Sequence, residues 1–192
     1  MRIIAGSLKG RRLRAPTWSG LRPTSDKLRE TLFNILASRS GGIVGARLLD
    51  GYAGTGAIGI EAISRGATHV TFVERDRRAQ ALIADNLVHC GIADGYAIIR
   101  ASADRAFADL AGVASVFDII VLDPPYGPQA GGGEGPPGLN EVGTVGSLVA
   151  ADGVLVLEHA RRSQAPDAIG PLARTRDVIS GDSALSFYAW PP

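Results

Sequence analysis

The stretch Asp50-Gly51-Tyr52-Ala53-Gly54-Thr55-Gly56-Ala57-Ile58-Gly59 decides how the rest of the chain is read. It follows the apolar Arg47-Leu48-Leu49 and opens a run through Glu61 to Ser64, so a strand leads through a glycine turn into a helix. Gly54, Gly56 and Gly59 have the spacing G-x-G-x-x-G, and Glu74 lies 20 residues after Gly54 at the end of the next apolar run. Alone, that pattern fits a nicotinamide-dinucleotide fingerprint or a plain structural turn.

Asp50 bears on the choice. A carboxylate at the tip of the first strand, four residues before Gly54, repels a pyrophosphate and attracts a cationic amino group. S-adenosylmethionine carries an ammonium and a sulfonium and no phosphate, so the charge moves the reading from hydride transfer to methyl transfer. Tyr52, Ala53, Gly54 and Gly56 then form a turn along which the backbone passes close to a nucleoside. Glu74, with Arg75 beside it, can accept hydrogen bonds from both ribose hydroxyls.

Outward from the turn, apolar runs alternate with helical periodicity. Strands are expected at residues 47–50, 69–74, 97–100, 118–123 and 153–158, and helices after Ser25, after the glycine turn and at 78–89. Such alternation specifies a doubly wound α/β fold with a mostly parallel sheet. Two further strands, at 174–179 and 185–190 around Ser180-Gly181-Asp182-Ser183, add an antiparallel C-terminal edge that a dinucleotide-binding dehydrogenase domain does not need. Residues 127–147 contain eight glycines and three prolines and are expected to be a mobile loop without regular structure.

Composition sets outer bounds. The chain has 192 residues, 45% hydrophobic and 20% charged, which fits one globular body and neither a disordered nor a fibrous protein. It holds no run of about 18 apolar residues to span a membrane, and Met1-Arg2-Ile3-Ile4-Ala5-Gly6 is too short an apolar start for a secretory leader. The one cysteine, Cys90, supplies neither an internal disulfide nor a metal cluster and is expected to pack as a small apolar group. The chain reads as soluble, cytoplasmic and metal-independent.

A second constellation follows the fourth strand: Asp123-Pro124-Pro125-Tyr126. In an open α/β sheet the ligand crevice lies beyond the carboxyl ends of the strands, so Asp50, Glu74 and Asp123 should ring one crevice. The prolines fix the backbone and remove two amide hydrogens, leaving carbonyls as acceptors. Tyr126 can stack on a splayed base. This set suits methylation of an exocyclic amine, whose lone pair is shared with its ring. The Asp123 carboxylate and the Pro124 carbonyl, holding the two N–H groups, aim the lone pair at the methyl and stabilise the developing positive charge.

The net charge of +1 conceals an asymmetry: residues 1–29 carry a local +7 and the remainder −6. Ile3, Ile4 and Leu13 flank the turn-like Gly6-Ser7-Leu8-Lys9-Gly10, suggesting a hairpin with Arg11, Arg12 and Arg14 on its second strand. These arginines, with Arg22, are candidate phosphate contacts, although a solvated arm without a partner has the same composition. Arg22 and Arg29 could equally pair with Glu30 or Asp26. His69, His89 and His159 stand in no motif, and amine methylation needs no histidine base.

These segments together resemble a family. Arg2-Ile3-Ile4-Ala5-Gly6, Lys9-Gly10-Arg11-Arg12-Leu13, Arg22-Pro23-Thr24, Arg29-Glu30 and Leu32-Phe33-Asn34-Ile35-Leu36 are similar to the bacterial small-subunit rRNA guanine-N2 methyltransferases of RsmD type. So are Ala53-Gly54-Thr55-Gly56-Ala57, Gly59-Ile60-Glu61-Ala62, Ser64-Arg65-Gly66-Ala67, Val73-Glu74, Asn86-Leu87, the Asp123 motif, and Gly181-Asp182-Ser183 with Leu185-Ser186-Phe187-Tyr188. The resemblance implies a Rossmann-like class I methyltransferase fold: a seven-stranded, mostly parallel sheet with an antiparallel C-terminal strand and a small N-terminal hairpin and helix extension. It implies a basic RNA-binding extension over 1–40 and an S-adenosylmethionine-dependent domain over 41–192. It also implies transfer of one methyl to N2 of a guanine in 16S rRNA, with a partly assembled small subunit as a possible setting and a monomer as the acting species. Ser102 and Ala103 occupy the adenine-contact region, where the family often has an acid followed by Ala; here Asp104 follows one position later. Gly51 stands where a larger apolar residue is usual.

Two other readings remain. The Asp123 motif recognises an amine and not a particular base, so an adenine or cytosine amine in DNA or RNA is an alternative. A non-catalytic RNA-binding assembly factor on the same scaffold is another.

Overall fold

The computed structural model describes residues 1–18, 25–124 and 142–192. Among these, thirteen elements run α1 (Asp26–Ala37), β1 (Arg47–Asp50), α2 (Ala57–Ser64), β2 (His69–Val73), α3 (Arg77–His89), β3 (Tyr96–Ile99), α4 (Ala103–Gly112), β4 (Phe117–Leu122), α5 (Val142–Gly146), β5 (Val149–Ala160), β6 (Ala168–Ile169), β7 (Leu172–Ser180) and β8 (Ser183–Ala189). They build one sheet of order β3-β2-β1-β4-β5-β8-β7-β6. The first five strands are parallel, and β8, β7 and β6 are antiparallel. The sheet is the expected one with one added strand, the two-residue β6 paired to the edge of β7, and helices α4 and α5 are additions to the expected helices.

Side-chain alternation explains why the parallel strands read as continuous apolar runs. Leu48, Ile119, Val121, Val154 and Val156 pack on one face with α1, α2 and α3. Leu49, Ile120, Leu122, Leu155 and Leu157 pack on the other with α4 and α5. A strand covered on both faces has no polar position to spare. The N-terminal Ile3 and Leu13 and the α1 residues Leu28, Leu32, Phe33 and Leu36 belong to the first of these cores.

Local chemistry sets the ends of elements. The Ser25 hydroxyl accepts from Leu28 N–H at 3.1 Å and caps α1. Asp76, extended at φ −76°, accepts from Arg78 N–H and caps α3. The N-terminal hairpin forms around a single bridge, Arg2 with Arg12, closed by Ile3 N–H to the Arg11 carbonyl and Gly10 N–H to the Ile3 carbonyl. It is held to the body by Glu61 of α2, fully buried, whose carboxylate accepts from Ile4 N–H at 2.7 Å and Ala5 N–H at 3.0 Å. Arg65 also donates to Glu61, at 2.8 Å. Arg29 settles as a structural residue: its buried guanidinium donates to the Arg2 carbonyl and to Asp26, both at 2.7 Å.

The expected irregular loop at 127–147 ends differently. Residues 125–141 lie outside those described, but 142–146 form α5, because Val145 is buried and Gly146 seats against Ile169. A Cβ on Gly146 would stand 2.5 Å from the Ile169 carbonyl oxygen, a contact that only glycine makes. Likewise β5 begins at Val149, opposite Phe117, and an irregularity skips to Val154 opposite Ile119.

Candidate active site

Strand order reverses between β1 and β4, and the crevice beyond their carboxyl ends is where an α/β sheet binds ligands. Register fixes the layout. Asp50 stands opposite Phe72 of β2 and Val121 of β4. Glu74 and Asp123 therefore lie two residues, about 6–7 Å, further along on either side. Asp50 is the floor of the crevice; the other two acids are its rims.

The glycine turn wraps this floor. Ala53 N–H donates to the Val73 carbonyl at 2.9 Å, tying the turn to β2, and the Ala53 carbonyl accepts from Gly56 N–H at 2.7 Å. Gly54 and Gly56 hold φ of 55° and 79°, conformations costly for other residues. Gly59 lets α2 press on the sheet: a Cβ there would stand 2.2 Å from the Phe72 ring. Gly51 faces Leu122 and Phe107, and a Cβ there would stand 2.5 Å from Leu122 Cδ2 and 3.1 Å from the Phe107 ring.

Asp50 is buried, at 1% exposure, and its two oxygens differ. Oδ2 accepts from Gly59 N–H at 3.1 Å at the start of α2. Oδ1 is also buried and has no partner. Helix capping explains the first oxygen and not the second. Loss of hydration pushes the Asp50 carboxyl up to about 7, opposed by the Gly59 N–H and reinforced by the charges of Asp123 and Glu74. A partnerless buried carboxylate oxygen among three acids is a cradle for a cation.

Glu74 is bonded on both oxygens. Oε2 accepts from Gly54 N–H at 2.9 Å and Oε1 from Asp76 N–H at 2.8 Å. Each oxygen retains a second lone pair for a ribose hydroxyl. Gln80 Nε2 donates to the Glu74 carbonyl at 2.8 Å and fixes its backbone. Asp76 and Gln80 thus belong to the site. The sequence signal for Asp76 is a capping acid placed directly before a helical run.

The remaining candidates fall as follows. Asp123 is half-buried and Pro124 buried at the end of β4; Pro125 and Tyr126 lie outside the described residues. Tyr52 is half-buried against the core face that includes Phe107. Ser102 is the cap position of α4 and Ala103 its buried first residue, next to the end of β3. Asp104 is exposed, held below its ordinary carboxylate range first by the Ser102 hydroxyl and then by the Arg105 N–H. Arg75 is exposed beside Glu74. Arg11, Arg12 and Arg14 are exposed, and Arg22 lies outside the described residues. His159 sits in the antiparallel half of the sheet, bonded to the Ser186 hydroxyl at 2.8 Å, away from the crevice acids in the strand order. Cys90 is buried among apolar residues.

The donor set fits S-adenosylmethionine: a buried carboxylate for its cationic end, backbone without side chains along the nucleoside, and an acid for the ribose. Pyrophosphate has no place against Asp50.

Comparison with known proteins gives the same answer independently. The family model described as Conserved hypothetical protein 95 matches residues 1–189. The chain is 36% identical over 191 residues to "Putative rRNA methyltransferase YlbH" of Bacillus subtilis (strain 168), covering 98% of each. It is 40% identical over 126 residues to "Ribosomal RNA small subunit methyltransferase D" of Escherichia coli (strain K12), a match that covers 66% of this chain and 60% of that protein. The solved structure "Putative methyltransferase yhhF from Escherichia coli" superposes with a TM-score of 0.79 at 31% identity, over 98% of this chain and 96% of that one. A family match over nearly every residue, on a fold shared from end to end, means that the chain belongs to the RsmD-type family of class I methyltransferases, whose model bears the description Conserved hypothetical protein 95.

Proposed function

We propose that the chain transfers a methyl group from S-adenosylmethionine to the N2 amine of a guanine in 16S ribosomal RNA. One observation carries the reading: the buried, partnerless Asp50 Oδ1 lies between two further acids at the point where strand order reverses. The family and the rRNA methyltransferase relatives support the substrate class.

S-adenosylmethionine supplies a methyl group on a positively charged sulfur. Everything else falls to the protein. Asp50 holds the cationic end at the crevice floor, and Glu74 takes the ribose while keeping the Gly54 turn in place. Asp123 and the Pro124 carbonyl accept the two N–H groups of the incoming amine, which turns its lone pair toward the methyl. As the N–C bond forms, the methyl's bond to sulfur breaks with its electron pair left on the departing thioether; the nitrogen becomes cationic, and the adjacent carboxylate would stabilise that charge. The surplus proton leaves to solvent. Tyr126 stacks on the base. Tyr52, Ala53, Arg75, Ser102 and Ala103 complete the nucleoside wall. The reading extends to a partly assembled small subunit as substrate form and to a monomer acting in the cytoplasm.

The basic arm brings the RNA. The Arg14–Asp85 pair, 3.2 Å apart, has both side chains more than half exposed, so it adds little stability and opens readily to a phosphate. Replacing Arg11, Arg12 and Arg14 together by Gln is expected to weaken binding of 16S rRNA and to lower the slope of log affinity against log salt by about 2. Filter binding across a salt series reads this; an unchanged slope removes the arm from RNA contact.

Labelled S-adenosylmethionine offered with deproteinised rRNA, with partly assembled small subunits and with DNA tests the function itself. Label should enter RNA, as N2-methylguanine on nucleoside analysis. Methylation of DNA alone, or RNA binding without any transfer, overturns the reading in favour of a DNA amine methyltransferase or an assembly factor.

A further inference from the structure

Resting on that reading, we propose that the arm is part of the cofactor site, with Asn86 and the Trp18–Arg78 stack as positioning residues that hold the two cofactor-gripping loops.

Asn86, in the last turn of α3, has a fully buried side chain that spends its amide on backbone. Its Oδ1 accepts from Arg14 N–H at 2.8 Å. Its Nδ2 donates to the Arg14 carbonyl at 3.3 Å and to the Thr55 carbonyl at 3.0 Å. One amide thus ties the arm to the middle of the glycine turn, between Gly54 and Gly56. No hydrophobic residue of that size can do this, and neither Asp nor Leu supplies both the acceptor and the donors.

A second tie lies one end of the helix away. The Arg78 guanidinium stands 5.1 Å from the centre of the Trp18 ring and forks onto Asp76, with Nη2 to Oδ2 at 2.7 Å and Nε to Oδ1 at 3.2 Å. Asp76 N–H in turn donates to Glu74. From residue 86 back to residue 78, α3 spans about 12 Å, and residues 14 to 18, which end in a bend, can reach at most about 13 Å. The arm therefore lies along α3 as a strap, pinned at one end to the turn that passes the nucleoside and at the other to the acid that takes the ribose. Both loops rest on residues that the arm touches, and the same arm carries Arg11, Arg12 and Arg14. An RNA that orders the arm tightens the cofactor, and by linkage the cofactor tightens the RNA.

The test uses the full chain and S-adenosylhomocysteine, the unreactive product, measured by calorimetry. Trp18→Ala and Arg78→Ala are each expected to weaken its binding about two- to fivefold, the scale of an exposed cation–π contact. Trp18→Phe, which keeps a ring over the guanidinium, should restore affinity. In methylation assays KM for S-adenosylmethionine should rise while kcat holds, and thermal unfolding without ligand should stay close to that of the parent, a pattern that a merely structural role does not give. Asn86→Ala should weaken binding more than either, provided that it unfolds at a similar temperature. Unchanged affinity in Trp18→Ala and Arg78→Ala overturns the inference alone. Failure of the parent chain to bind S-adenosylhomocysteine sinks the cofactor reading and the inference with it.

Discussion

Asp123→Ala should bind S-adenosylhomocysteine nearly as well as the parent and methylate RNA about 10²–10³ times more slowly, a loss of roughly 3–4 kcal/mol in the transition state. The separation of binding from turnover is the informative part. Asp123 lies at the rim of the crevice, two residues beyond the level of Asp50, on the side away from the ribose acid Glu74. Removing its carboxylate leaves the Asp50 floor, the glycine turn and the Glu74 bonds in place. On the proposed function, what is lost is the acceptor that orients the amine and the charge that offsets the cation forming on nitrogen. A single-turnover assay with saturating cofactor reads the chemical step directly. Turnover comparable with the parent refutes the role given to Asp123.

Asp50→Asn should have the opposite signature, with loss concentrated in cofactor affinity. The buried Oδ1 is the only partnerless side-chain oxygen found buried among the described residues, and a charge-assisted bond from an ammonium is worth about 1.5–3 kcal/mol. Affinity for S-adenosylmethionine is expected to fall about 10- to 100-fold. The pH dependence supplies a second check. In the parent the carboxyl is pushed up to about 7, and a cation binds its ionised form. Affinity should therefore fall as pH drops through 7, by up to about tenfold per pH unit, and in Asp50→Asn this dependence should vanish. Stability without ligand runs the other way. The folded carboxyl holds its proton above the ordinary 3.8, so between those two values the native state binds more protons than the unfolded one, and stability declines as pH rises toward 7. Asp50→Asn removes that decline. In denaturant unfolding at pH 8 the variant should be the more stable by up to about 4 kcal/mol, at about 1.36 kcal/mol per pH unit between 3.8 and about 7, with the gap closing toward pH 4. Equal stability at pH 8, together with parental affinity, would leave Asp50 as a helix cap and nothing more.

Much of this site was legible because it is written in short-range terms. A strand tip, a glycine turn and an acid at the next strand tip are fixed by residues within 25 positions of each other, and register carries them to one crevice. The charge of Asp50 was readable as chemistry, and burial gives it its force. The ends of strands β1 to β4 fall within one residue of expectation because apolar runs covered on both faces stop where the polar site begins. What stayed hidden depends on distant partners. Helix α4 is an omission of another kind: Ala103, Ala106, Phe107, Leu110 and Ala111 recur at helical spacing and pack on the second core, so its stripe stood in the sequence. Helix α5 exists because Gly146 seats against Ile169, 23 residues later. Asn86 stands out in the sequence as part of Asn86-Leu87, but its partners Arg14 and Thr55 show only once the fold places them around it. The basic arm showed its charge but not that its backbone is tied through Asn86 to the glycine turn, since hydrogen bonds between residues 72 apart leave no local trace.

Glu61 has a consequence for how freely the leading segment can be replaced. Its enclosed carboxylate is satisfied by the amides of residues 4 and 5 and by Arg65, so deleting the leading segment would remove two of these three donors and leave Arg65. A module attached on these terms cannot be traded between catalytic scaffolds like a cassette. Substitutions that leave this tie intact are those at outward-facing arm residues such as Arg11 and Arg12.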